Sequence, residues 1–181
     1  MSNNYNEIVV IDLEATCWST PEETALNVSE IIEIGVCILD VITGEIKNQK
    51  GLIIQPRESK ISPFCVELTG ITQDMVDSGM KFDEAIKVLK KEYGVSRRMM
   101  GAWGNYDQNM LLKECARCDI KSPFGPTYLN ISAIATLKLK ANRRLGVSEA
   151  LEMFGLKFEG RQHRGVDDAF NTARLLREIL K

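Results

Sequence analysis

Residues 7–13 (EIVVIDL) are apolar and β-branched with almost no alternation, the pattern of a strand buried on both faces. A second such run covers 30–41 (EIIEIGVCILDV), and a third covers 46–55 (IKNQKGLIIQ) after the turn signal TGE at 43–45. Connections this short make the three strands antiparallel neighbours. The polar, proline-containing stretch 17–29 (CWSTPEETALNVS) is expected to be a loop. Beyond residue 60 the period changes. Residues 62–70 form a short helix or turn. Residues 82–93 (FDEAIKVLKKEY) place apolar side chains at helical spacing, with Asp83 and Glu84 in the first turn. A fourth strand fits 97–103, and Asn105 is expected to cap a helix that runs to about 117. TYLNISAI (127–134) begins as a fifth strand and passes into a helix; SEALEMFGL (148–156) is a helix capped by Ser148. The last helix starts near 165, with Val166, Phe170, Ala173, Leu176 and Ile179 or Leu180 on one face. Three strands in a meander, followed by alternating helices and strands, define the α/β class. The expected sheet is mixed and five-stranded, three antiparallel strands then two parallel, flanked by helices.

Composition narrows the picture. A chain of 181 residues that is 44% hydrophobic is expected to be one domain, residues 1–181 with its core at about 7–180. No apolar run approaches the roughly 20 residues that cross a bilayer, and the polar start MSNNYNE has no signal-peptide core. These features place the chain away from membranes and in the cytoplasm. Five scattered cysteines (17, 37, 65, 115, 118) fit a reducing compartment rather than a disulfide framework. The CxxC at 115–118 lies in a helical pattern without a second close pair, so it reads as two small helix residues rather than a zinc site, which needs about four ligands.

The net charge of −2 does not by itself suggest nucleic-acid binding, although bound divalent cations would reverse the local sign. Lys138, Lys140, Arg143 and Arg144 cluster, and Arg161 and Arg164 flank His163; taken alone, each group reads as solvated surface.

The chemistry-bearing residues are acidic. Asp12 and Glu14 lie two apart on the first strand, so they share a face. Two carboxylates crowded together resist ionisation, and the end of a buried strand is where α/β sheets bind ligands. Alone, the pair could simply have emerged into solvent. Asp107 lies in the first turn of a helix, where it could serve the helix dipole instead. Asp168 also lies in a first turn, beside Asp167, and helical phase turns Asp168 more toward the sheet. His163, the single histidine, sits in the polar, glycine-flanked loop EGRQHRG and excludes a multi-histidine metal centre. An imidazole there could accept a proton from water, or be an ordinary surface histidine.

As an ordered set, DLEAT, NYD and H-x4-D resemble the three signatures of the DEDDh 3′–5′ exonucleases, over about residues 7–180. DLEATC, ELTGIT, WGNYD and FEGRQHRGVDDAFNTARL are most similar to the subgroup of histone-mRNA and RNA-interference exonucleases and KapD-like proteins. The resemblance implies a ribonuclease H-like fold. It implies that Asp12, Glu14, Asp107 and Asp168 hold two Mg²⁺ or Mn²⁺, that Glu14 takes part in catalysis through the metal, and that His163 is the general base at the substrate. It further implies that Leu13, Ala15 and Thr16 contact the terminal nucleotide, and that Leu68 and Ile71 pack on its base. The expected partner is the 3′ end of a single-stranded nucleic acid, with RNA favoured by the subgroup alone, and the expected product is a nucleoside 5′-monophosphate. Three other readings remain: an aspartyl-phosphate phosphatase of the haloacid-dehalogenase type, in which His163 has no role; a non-catalytic binding module; and an endonuclease on the same fold.

Overall fold

The structure, a computed structural model, describes residues 4–181. Five strands form one sheet: β1 (Asn4–Ala15), β2 (Ile31–Asp40), β3 (Ile46–Ile53), β4 (Arg98–Ala102) and β5 (Tyr128–Asn130). Their spatial order is β3-β2-β1-β4-β5. β1–β2 and β2–β3 are antiparallel, while β4 lies parallel to β1 and β5 parallel to β4. The sheet is therefore the expected mixed one. β1, β4 and β5 all end on the same edge, where parallel strands present their carboxyl ends to ligands.

The period-2 alternation of β1 distributes its side chains between two cores. Val9, Ile11 and Leu13 face one layer, packed with Phe82, Ile86, Leu89, Met110 and Leu111. These come from α4 (Phe82–Val88) and its continuation Leu89–Tyr93, and from α5 (Tyr106–Arg117). Ile8 and Val10 face the opposite layer, with Ile131, Ala135, Ala173, Leu176 and Ile179. Those residues belong to α6 (Ile131–Lys138) and α8 (Gly165–Ile179). Asp12 and Glu14 continue the even-numbered row. They emerge at the point where the apolar cover supplied by the body of α8 gives way to its N-terminus.

The N-terminus of α8 abuts β2 with little room. A Cβ on Gly35 would overlap the carbonyl of Gly165, so a glycine is required where helix backbone meets strand backbone. Gly35 pairs in register with Asp12. The close approach thus places the first turn of α8, and Asp168 within it, beside the acidic end of β1.

Several local expectations are corrected. The 17–29 segment contains a short helix, α1 (Pro21–Leu26), capped by Thr20 and carrying no buried residue. A second short helix, α3 (Gln73–Asp77), follows α2 (Pro63–Thr69). The 82–93 helix is α-helical only to Val88 and then widens into one π turn that ends at Gly94 (φ 59°). Asn105 occupies the cap position of α5 without capping it; its side-chain oxygen accepts from Asn130 Nδ2 at 2.9 Å. Gly146, not Ser148, precedes the helix α7 (Val147–Met153), and Ser148 Oγ accepts from Gln162. The buried stripe of α8 runs through Ala169, Ala173, Leu176 and Ile179, with Thr172 and Leu175 beside it. Val166 and Phe170 are half-buried, and Leu180 is exposed. Among the described residues no helix is long and apolar enough to cross a membrane.

Candidate active site

The acids separated by up to 156 residues in sequence meet at the end of β1. Asp12, Glu14 and Asp168 each offer a carboxylate oxygen, and these oxygens lie within 4.8 Å of one another. Asp107 stands outside that trio but is tied to it. Its Oδ1 accepts the Leu13 amide at 3.0 Å, which joins the first turn of α5 to the strand segment between Asp12 and Glu14. Asp107 is only 5% exposed.

Crowding and burial shape the electrostatics. Burial, followed by the charges of Asp107, Asp168, Glu14 and Glu33, pushes the Asp12 carboxyl well above its ordinary range. Burial, then Asp168, Glu33 and Asp107, raises Glu14 from 4.5 to about 8. Burial lifts Asp107 and Asp168 each to about 6, against the amide hydrogen bonds that hold them down. Among the described residues no cation forms an ion pair with Asp12, Glu14, Asp107 or Asp168. A cluster of this kind holds its protons near neutrality until positive charge enters.

His163 is exposed and lies at the rim, in the turn before α8, with its backbone in the left-handed region (φ 60°). Non-glycine residues rarely adopt that conformation, and such residues gather at functional sites. Three contacts hold the turn. The amides of His163 and Arg164 both donate to the Asp168 carboxylate, the latter at 3.1 Å. The Arg161 amide donates to Asp167 Oδ2 at 2.9 Å, and its guanidinium reaches the Glu67 carbonyl at the end of α2. Asp167 is thereby occupied in bracing the loop, which leaves Asp168 to face the cluster.

The third contact involves a residue the sequence reading missed. Glu33, fully buried on β2 and in register with Glu14, receives Arg164 Nε at 3.2 Å, Arg164 Nη2 at 3.3 Å and the Gly165 amide at 3.0 Å. It thus holds both the arginine and the first amide of α8. The only signal was an acid in an otherwise apolar strand, EIIEIG.

The residues expected at the nucleotide are placed unevenly. The side chains of Leu13 and Ala15 are nearly covered. Thr16 Oγ1 donates to the Val28 carbonyl and accepts from the Glu30 amide, so its hydroxyl closes the neck between β1 and β2. Leu68 is half-buried on α2. Ile71 is fully buried among Ile32, Cys65 and Val76. Two aromatic residues went unread. Tyr106, 56% exposed, precedes Asp107 and lies within electrostatic reach of Asp107 and Glu14; Phe64, 38% exposed, lies on α2. Trp103 is half-buried at the end of β4, and its indole donates to the Leu145 carbonyl, a core role.

The exonuclease family model matches residues 9–176. ERI1 exoribonuclease 2 of Xenopus laevis is 36% identical over 202 residues, spanning 97% of this chain and 28% of that protein. The 3′–5′ exonuclease Snipper of Drosophila melanogaster is 31% identical, over 98% of this chain and 70% of that protein. Among solved structures, the nuclease domain of 3′hExo, a DEDDh family member bound to rAMP, superposes with a TM-score of 0.88 at 31% identity. It covers 99% of this chain and 94% of that one. The 3′-exonuclease whose structure describes 3′-end-specific recognition of the histone mRNA stem-loop gives 0.86 at 32% identity, covering 97% and 82%. The chain belongs to the DEDDh 3′–5′ exonuclease family, and its fold is ribonuclease H-like. It spans under a third of the length of the Xenopus relative.

Proposed function

We propose that this chain is a metal-dependent exonuclease that hydrolyses phosphodiester bonds at the 3′ end of single-stranded RNA and releases nucleoside 5′-monophosphates. The observation that carries this reading is the convergence of Asp12, Glu14 and Asp168 within 4.8 Å, backed by Asp107, with no cation among the described residues paired to them. The names of the relatives, exoribonuclease and histone mRNA 3′-exonuclease, support RNA.

The donor set suits hard divalent cations. It consists of carboxylate oxygens, with no cysteine or histidine in it. Protons held at raised pKa values are those a cation would displace. Asp12, Glu14, Asp107 and Asp168 would hold two Mg²⁺ or Mn²⁺, and the bound ions would supply Lewis-acid stabilisation of charge on the reacting phosphate.

The protein's own groups then have defined tasks. Tyr106 and Phe64 offer exposed rings on which the terminal base can stack, an interaction that contributes about 1–3 kcal/mol per base. The backbone of Leu13–Thr16 forms the end of β1 where the terminal nucleotide would rest, with Leu68 on the α2 side. His163, at the rim on a braced turn, accepts the proton of the attacking water as the water oxygen bonds to phosphorus. The bond from phosphorus to the 3′ oxygen of the preceding nucleotide breaks, and that oxygen leaves with a proton from solvent. Asp168 accepts the His163 amide and so fixes the turn relative to the acids.

Matched 5′-labelled single-stranded and duplex RNA and DNA, incubated with Mn²⁺, test the reading. A ladder that shortens from the 3′ end of single-stranded RNA, with nucleoside 5′-monophosphates as product, is expected. Oligonucleotide fragments would indicate an endonuclease. Binding without any release, or trapping of a phosphoryl-aspartate, would overturn the proposal.

A further inference from the structure

The basic cluster noted in the sequence contains one arginine in a different setting from its neighbours. Arg143 pairs with Glu149, but no carboxylate among the described residues pairs with Arg144. The Arg144 guanidinium instead folds back over the turn that follows β4. Its Nη2 donates to the Trp103 carbonyl at 3.1 Å and its Nε to Ser132 Oγ at 3.2 Å. Gly104 (φ 114°) makes room for it, since a Cβ there would overlap Nη2. Two of five N–H groups are engaged, leaving three unused on an exposed residue.

That position lies on the same edge of the sheet as the acids. Ordered along the edge are Asp12 and Glu14 at the end of β1, Asn105 after β4, and Asn130 at the end of β5. β5 is two strand spacings from β1, about 10 Å. A cavity of about 380 Å³ opens at the β5 end, lined by Asn130, Ser132, Thr136, Leu137 and Arg144. Asn130 and Asn105 are joined side chain to side chain, and Asn130 and Arg144 both line the cavity, so a polar link runs from the residue two before Asp107 to the cavity wall. Arg144 also acts on Asp107 electrostatically, opposing the upward effect of burial. An arginine without a carboxylate partner, with a fork of free donors beside an acidic centre, suits a tetrahedral oxyanion.

We propose that Arg144, with Asn105 and Asn130, forms a subsite for a phosphodiester upstream of the scissile one, so that the strand leaves the acidic centre along the carboxyl edge of β4 and β5. This deepens the nuclease reading above and rests on it for the strand's direction. Arg144 here binds the substrate backbone and carries no base preference.

The test measures binding of a 5′-fluorescein-labelled single-stranded RNA by anisotropy, with Ca²⁺ in place of Mg²⁺, over a range of NaCl concentrations. The proteins are wild type, Arg144→Gln, Arg144→Lys and Arg143→Gln. Each phosphate contact contributes about 0.7 to the slope of log affinity against log salt for single strands. Arg144→Gln should therefore flatten the slope by about 0.7 and weaken binding several-fold at low salt. Arg144→Lys should restore most of the slope, while Arg143→Gln, with the same change in net charge, should keep the wild-type slope. Melting curves establish that each variant is folded. An unchanged slope in folded Arg144→Gln, or an equal change in Arg143→Gln, would overturn the subsite. Failure of the wild type to shorten RNA with Mn²⁺ would instead overturn the nuclease reading, and the salt slopes would still judge the subsite by binding alone.

Discussion

Replacing Glu14 by Gln removes one negative charge from the acidic cluster with almost no change of shape, and its consequence can be worked out from the site. Burial and the neighbouring acids hold Glu14 at about 8 in the folded protein, against an ordinary 4.5. Between those two values the native state keeps a proton that the unfolded chain releases. The native state therefore binds more protons, and stability falls as pH rises through the window from about 4.5 to 8. The displacement corresponds to at most about 5 kcal/mol above pH 8. Below pH 4.5 the group is protonated in both states and contributes nothing to the difference. In EDTA at pH 8, Glu14→Gln should melt higher than wild type, by up to roughly 20 °C at about 2–4 °C per kcal/mol for a chain of this size. At pH 4.5 the two should melt together. Magnesium or manganese should reverse the order at pH 8: wild type gains stability by mass action, and the variant, lacking a ligand, gains less. Scanning fluorimetry across pH with EDTA, Mg²⁺ or Mn²⁺ reads all of this. A variant no more stable than wild type at pH 8 in EDTA, or an equal metal response in both proteins, would refute the reasoning.

Further outcomes are expected at the residues that position the chemistry. His163→Asn, which keeps a residue tolerant of the left-handed backbone, should lower turnover by about 10²–10⁴ while the melting response to Mn²⁺ stays as in wild type; near-normal turnover would remove His163 from its role as base. Glu33→Gln removes the charge that receives Arg164 and the Gly165 amide and should cost about 1.5–3 kcal/mol and weaken metal binding, read by urea unfolding and metal titration; an unaffected protein would mean that Glu33 does not hold α8 in place. Gly35→Ala forces a Cβ into the Gly165 carbonyl and should displace Asp168 from Asp12, seen as loss of the metal-dependent rise in melting temperature, whereas an unaltered rise would show that the helix can retreat without harm.

The strands and the acid positions were legible because they rest on strong local patterns. β1 and β2 are continuous apolar runs, and Asp12 and Glu14 interrupt such a run with a spacing that only a strand turns into a shared face. Asp168 could be preferred over Asp167 by helical phase alone, and the structure places Asp168 in the trio with Asp167 bonded to Arg161. What escaped depends on contacts between distant segments. Helix α1 buries nothing, so no apolar periodicity announces it. Ser148 is a good cap by residue type, yet the chain enters α7 at Gly146 and the serine is free to bond Gln162. Ile71 was expected at the base through the family resemblance alone; its packing against Ile32 and Val76 depends on segments distant in sequence. Glu33 reads as one acid in a buried strand until α8 docks and brings Arg164 and the Gly165 amide to it. Arg144 looked like its charged neighbours because nothing local distinguishes an arginine that has an acid partner from one that does not.

The central claim is that Asp12, Glu14, Asp107 and Asp168 together hold divalent ions against a 3′-terminal nucleotide. The most direct measurement is an anomalous difference map from crystals soaked with Mn²⁺ and a nucleoside 5′-monophosphate. Two peaks are expected within coordination distance of these four carboxylates, with the nucleotide's phosphate on the ions and His163 beside it. Manganese bound elsewhere, or a nucleotide seated away from the end of β1, would contradict it.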